Sequence, residues 1–205
     1  MNLFLIAQDP QEIAEAHCDS HVVKMIIETA QILYCAWWCT GRDKMEETQD
    51  PPPYRVTHKN HPTARWIRAD SHHYEFACRL GLALCKEYTS RFEGRVHKTQ
   101  LHLERLMRLG SPPVDEDCRD LATFDKVATC GLPEKIGFFP CAIDDETFEK
   151  VKVCRPELDA IETYRNYYRS KLDTMKRPMK WKRPNRPAWM SFDDEEPGLK
   201  RVRVA

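Results

Sequence analysis

The chain has 205 residues, 41% of them hydrophobic, and its 32 Lys and Arg balance its 32 Asp and Glu. That length and apolar content supply a core for one domain or two small ones and exclude a disordered polymer. A formal charge of zero gives no global argument for nucleic acid or a membrane surface, so any such argument rests on where the charges lie.

The first element, Asn2 to Ala7, is short, apolar and bounded by a turn, and reads as a buried strand or extended arm. Asp9-Pro10-Gln11-Glu12 is a helix start: Asp9 caps, Pro10 suits the first helical position, and Glu12 sits three residues after the cap. This helix ends near His17. A second, capped by Asp19 or Ser20, runs to about Cys39 and stops at Gly41. Residues 42–56, with three prolines at 51–53, form a surface loop. His61-Pro62 opens the next helix, with a break near Asp70-Ser71. Gly81 inside it costs about 1 kcal/mol against alanine and points to a close helix contact. A further helix covers Lys98 to Leu109, closed by Gly110. Residues 111–145 are loop-rich, and Pro156 to about Met175 forms the last helix. The expected fold is mostly α: a single compact helical domain over residues 1–190, with a short N-terminal extended arm and an irregular basic-aromatic C-terminal segment, then a disordered tail over 191–205.

Nine scattered cysteines with no C-x-x-C pair argue for reduced, structural thiols rather than a disulfide framework or a zinc ribbon. The opening MNLFLIAQDP lacks the basic region and apolar length of a secretory leader. No stretch approaches the roughly 20 apolar residues of a membrane span. A soluble, intracellular protein with no membrane partner is expected.

Between His17 and Trp38, the second helix is nearly all apolar, yet His21, Lys24, Glu28 and Gln31 recur at helical spacing on one face. Burying an unpaired Lys or Glu costs several kcal/mol, so the stripe faces water, partners or a cavity. A line this narrow, walled by Val22, Met25, Ile26 and Leu33, resembles a pocket lining more than a solvated face. His17 and His21 are also four apart, a spacing that can place two imidazoles on one metal, with His58 or His61 as a third ligand. That alternative, a divalent metal on His17, His21 and His61, stands beside a reading without any cofactor.

Basic groups elsewhere suggest a nucleic-acid partner. His58, His61, Arg65 and Arg68 cluster where a helix begins, and helix N-termini attract phosphate. Arg91, Arg95, His97 and Lys98 form another patch. From Thr163 to Met190 nine Lys and Arg face one acid, with three Tyr and two Trp interleaved. Cations there neutralise phosphates, and aromatics stack on exposed bases. Trp181, Lys182, Arg183, Arg186 and Trp189 are the candidate contacts. The other reading is a basic segment that wraps an acidic groove of its own domain.

Across most of residues 1–190 the chain resembles a family of phage and large-virus proteins without a settled activity. The shared features are MNLFLIAQDP, HCDSHVVKMIIETAQ, THKNHPTARWIR, ALCKEYTSRF, YRNYYRSK and RPAWM. More distantly it resembles the pyrimidine-dimer DNA glycosylase/AP lyases of the endonuclease V type. The order of an apolar arm, Lys24…Glu28-Thr29-Ala30-Gln31, Lys59-Asn60-His61-Pro62 and Arg186-Pro187-Ala188-Trp189 carries that likeness. The resemblance implies a small all-α enzyme in which an N-terminal amine attacks the sugar C1′ and a helix glutamate stabilises the charge. Glu28 matches that glutamate. Asn2 after Met1 is a poor context for methionine removal, so the amine of Met1, or Lys24 with its pKa lowered by desolvation, takes the nucleophile's place. His21 would relay protons. A viral origin would place the protein in the cytoplasm or nucleus of an infected cell. Two rivals remain: a metal-dependent hydrolase of nucleotides or nucleic acid, and a non-catalytic viral DNA-binding protein.

Overall fold

The structure, a computed structural model, describes residues 2–45, 51–175, 178–182 and 186–190. It is mostly α. The helices are α1 (Pro10–Ala16), α2 (Asp19–Thr40), α3 (Pro62–Ala69), α4 (Ser71–Arg91), α5 (Gln100–Leu109), α6 (Asp145–Val151) and α7 (Ala160–Thr174). Strands β1 (Val127–Ala128) and β2 (Phe139–Pro140) pair antiparallel, with Val127 opposite Pro140 and Ala128 opposite Phe139. The arm over residues 2–7 is extended and buried beyond its first residue, but it pairs with no strand.

The helix boundaries follow from capping chemistry. The Asp9 carboxylate accepts from the backbone N–H of Gln11 at 2.8 Å and of Glu12 at 3.2 Å, with Pro10 behind it. His61 Nδ1 accepts from Thr63 N at 3.3 Å to start α3, and Asp70 accepts from His72 N at 2.8 Å to start α4. Gly41 ends α2 with its N–H on Trp37 O at 2.9 Å. Neither Asp19 nor Ser20 caps α2. Cys18 holds the cap position without a side-chain bond, and its N–H donates to Tyr168 OH at 2.8 Å. Asp19 is engaged elsewhere, by the Arg91 guanidinium and the Lys182 N–H. The last helix begins at Ala160 rather than near Pro156, because Asp159 caps it through Glu162 N at 2.9 Å.

The core forms where α2 and α4 pack together. α3 and α5 touch both helices, and α1 packs on α4. Gly81 of α4 sits at the meeting point of three helices. A Cβ there would lie 2.8 Å from Leu103 Cδ2 on α5 and 3.1 Å from Thr29 Cγ2 on α2, which gives the glycine the packing role its sequence position suggested. The buried indoles are paired: Trp37 Nε1 donates to Tyr74 OH at 2.9 Å, and Trp66 Nε1 to Phe138 O at 2.6 Å, whereas among the described residues His17 Nε2 and Thr29 Oγ1 are buried without a partner. The nine cysteines form no disulfide. Among the described residues no helix is long and apolar enough to cross a membrane.

The second unit of packing joins the two ends of the chain. α7 lies over the N-terminal arm, where Phe4 meets Tyr164, Tyr167 and Tyr168, and Arg165 Nε donates to Ile6 O at 2.9 Å. The described part of the C-terminal segment is irregular and folds back onto the domain. Trp181 Nε1 donates to Ala16 O at 3.0 Å, Asp19 N to Lys180 O at 2.8 Å, and Met190 is fully buried. The expected disordered tail, 191–205, lies outside the described residues.

Candidate active site

Helix α2 places Lys24 and Glu28 one turn apart, and the carboxylate becomes a junction. Its Oε1 lies 3.1 Å from Lys24 Nζ, and its Oε2 accepts the backbone N–H of Asn2 at 3.1 Å. The lysine is 65% exposed and the glutamate only 14%, so the amine stands at the rim and the acid below it, and the desolvation expected of Lys24 is not found. The polar stripe therefore opens to solvent at Lys24, with Ile27 exposed beside it, while Glu28 reaches inward to the start of the arm.

The side chain of Asn2 is fixed from three sides. Its Nδ2 donates to Ala142 O at 2.9 Å, and its Oδ1 lies 3.2 Å from Tyr164 OH and 3.4 Å from Thr63 Oγ1. Tyr164 also accepts from Ala142 N at 3.1 Å and sits 3.2 Å from Pro140 O, so its single proton is shared between two acceptors. Burial pushes the Tyr164 phenol well up, which keeps that proton in place. Asn2 is thus tied to α3, α7 and the stretch after β2, and it can shift only if they do.

His61, at the mouth of α3, extends the group. Burial pushes its imidazole down to about 4, His58 adds to the shift, and the Glu28 charge opposes it. At neutral pH His61 is an uncharged donor–acceptor beside the carboxylate. With Pro62, Phe124, Lys126 and Asp144 it lines a cleft of 240 Å³. Lys126 is braced there by Asp145 at 2.6 Å and by the Ile143 carbonyl.

The remaining expected site residues lie elsewhere. His21 does not share the Glu28 environment, since two turns of helix separate them by about 10 Å. It stacks on Phe4 with centroids 5.3 Å apart, and its Nδ1 lies 2.9 Å from Tyr168 OH. Burial, then the charges of His17, Lys171 and Lys24, hold it down to about 3, which makes it a neutral core residue rather than a relay. His17 spends Nδ1 on Ile13 O at 2.6 Å, while His61 Nδ1 caps α3 through Thr63 N, so the alternative set His17, His21 and His61 is not assembled. Among the described residues no group of three or more His, Cys, Asp or Glu is placed to hold a metal ion.

Several residues expected at a nucleic-acid surface are internal struts. Arg91 is buried, with Nε on Glu87 at 2.6 Å, Nη1 on His17 O at 2.7 Å and Asp19 at 3.1 Å, and Nη2 on Glu15 O at 2.9 Å. Arg68 is buried against Asp115 at 3.0 Å and Lys59 O at 2.9 Å. Arg65 bonds Thr123 through both terminal nitrogens and lies 4.8 Å over the Phe124 ring. Trp189 sits under Arg165 and Arg169, at 5.4 and 5.7 Å. Lys182 lies over Phe92 at 4.8 Å, and Arg186 bonds Met190 O. His58 is exposed at a positive φ of 51°, bonded to Thr57. Met1 and Arg183 lie outside the described residues. The basic-aromatic segment, where described, wraps its own domain. Sequence reasoning missed Tyr164 and Thr63. The one available signal was two tyrosines on a buried helix face, each needing a partner for its hydroxyl.

Comparison with protein-family models, with curated proteins and with solved structures returns no match.

Proposed function

We propose that the protein is a DNA-acting enzyme of the glycosylase/AP-lyase type, with Glu28 as its central acid and an adjoining amine as nucleophile. The observation that carries this reading is the double engagement of Glu28, by Lys24 Nζ on one oxygen and the Asn2 N–H on the other. A lyase of this kind needs an amine and a carboxylate at one sugar carbon. The amine is Lys24, whose Nζ lies 3.1 Å from Glu28, or the amino group of the residue that precedes Asn2 in the chain. It forms a C–N bond to C1′ as the glycosidic bond breaks, and the bond's electrons leave with the base, which takes up a proton. The nitrogen lone pair then opens the C1′–O4′ bond to an iminium. Loss of a C2′ proton expels the 3′ phosphate. Glu28 stabilises the positive charge at C1′ and shuttles these protons. The likeness of the arm, the α2 pattern and the His61-Pro62 helix start to the endonuclease V type supports the same reading.

The test is borohydride trapping on DNA with an abasic site, followed by peptide mapping. Wild type should yield a covalent adduct on Lys24 or the first residue, and Glu28→Gln should trap at least about 100-fold less. No adduct with wild type removes the lyase chemistry, and full trapping by the glutamine variant removes the role of Glu28.

A further inference from the structure

A second and larger cleft, of 1020 Å³, opens between the end of α2 and the extended stretch that leads into α3. Arg42, Arg55 and Lys59 line it, all three exposed. Among the described residues none of the three has an ion pair or a side-chain hydrogen bond. This sets them apart from Arg65, Arg68 and Arg91, whose donors are spent inside the protein. The acid on this wall, Asp115, is already engaged by Arg68. Apolar surface lies among the cations: Trp38 is partly open with Arg42 6.0 Å from its ring, and Val56 is 52% exposed.

Unpaired cations on a concave wall with an aromatic face fit a polyanion that carries flat rings, such as an unpaired nucleic-acid strand. The chain path adds direction. Arg55, Val56, Lys59 and Asn60 line this cleft, and just beyond them Thr63 Oγ1 lies 3.4 Å from the side chain of Asn2, whose N–H is held by Glu28. We infer that the Arg42–Arg55–Lys59 cleft is the track for the phosphate backbone of single-stranded or locally opened DNA, which it leads toward Glu28. The inference rests on the DNA-acting reading above, but it concerns binding and is measured apart from chemistry.

The experiment is fluorescence anisotropy with a labelled single-stranded oligonucleotide at several salt concentrations. The proteins are wild type, the triple variant Arg42→Ala/Arg55→Ala/Lys59→Ala, the double variant Lys180→Ala/Lys182→Ala, and Glu28→Gln. Losing three phosphate contacts should flatten the slope of log affinity against log salt by about 2, at roughly 0.7 per contact. The double variant should bind like wild type, and Glu28→Gln, which removes a negative charge from the end of the track, should bind at least as tightly. Alkylation of the exposed Cys39, which lines the same cleft, should slow when the oligonucleotide is bound to wild type. That readout requires no variant to fold. Wild-type binding and slope in the triple variant, loss of binding in the lysine double variant instead, or unprotected Cys39 under saturating oligonucleotide would each overturn the track. Binding through this cleft without a trapped adduct overturns the lyase reading and leaves the track standing. A trapped adduct with an unaffected triple variant does the reverse.

Discussion

Replacing Arg91 with alanine separates a structural cation from a DNA contact. Its side chain is fully buried, and it binds Glu87, itself 7% exposed, and Asp19, at 15%. It also donates to the carbonyls of His17 and Glu15, where α1 has run out of partners for its last carbonyls. The substitution strands a buried carboxylate and two backbone acceptors at once. Breaking a buried pair by removing one partner costs about 3–5 kcal/mol. For a chain of this size each kcal/mol moves Tm by about 2–4 °C, so the expected fall is about 6–20 °C. Urea and thermal unfolding followed by circular dichroism measure it. A companion Glu87→Gln in the Arg91→Ala background should recover part of the loss, because the stranded charge is then gone. A loss below about 1 kcal/mol, or a loss of oligonucleotide affinity without a loss of stability, would refute the assignment of Arg91 as an internal strut.

Other outcomes follow from the same geometry. Glu28→Gln should cost less than about 1 kcal/mol of stability, because the Lys24 partner is mostly exposed and the amide can still accept from Asn2 N; equilibrium unfolding checks this. Gly81→Ala should destabilise by about 1 kcal/mol despite the better helix propensity, since the methyl meets Leu103 and Thr29, and a rise in Tm would contradict that packing. The histidines set an acid limit. His17 and His61, held down to about 4, and His21, held down to about 3, stay neutral when folded but take up protons near 6.5 when unfolded. Their stabilisation is full above 6.5 and drains as pH falls toward 4 and then 3, by up to about 1.4 kcal/mol per pH unit for each, which urea titrations between pH 7 and 4.5 would register.

The long helices were legible because local chemistry marks their ends. Asp9-Pro10, His61-Pro62, the break at Asp70 and the stop at Gly41 each act through a cap or a lost donor within a few residues. α6 and the two-residue strands were not legible: α6 is as short as α1 but has no proline after its Asp144 cap to mark the start, and two residues carry no periodicity. Lys24 and Glu28 could be singled out by spacing. Their link to Asn2 could not, because it depends on how α7 and the stretch after β2 clamp the arm. Arg68 and Arg91 show why charge alone misleads: the sequence displays a cation but not the carbonyls and carboxylates that surround it. In the basic-aromatic segment the two tryptophans are likewise engaged by the domain, on Ala16 and on two arginines.

The clamp on Asn2 also bears on synthesis. Tyr164, which positions that asparagine, follows it by 162 residues along the chain. At roughly 5–20 residues per second, a ribosome needs about 8–30 s to cover that distance. The clamped geometry around Glu28 is therefore absent from the nascent polypeptide and forms only after translation has delivered α7.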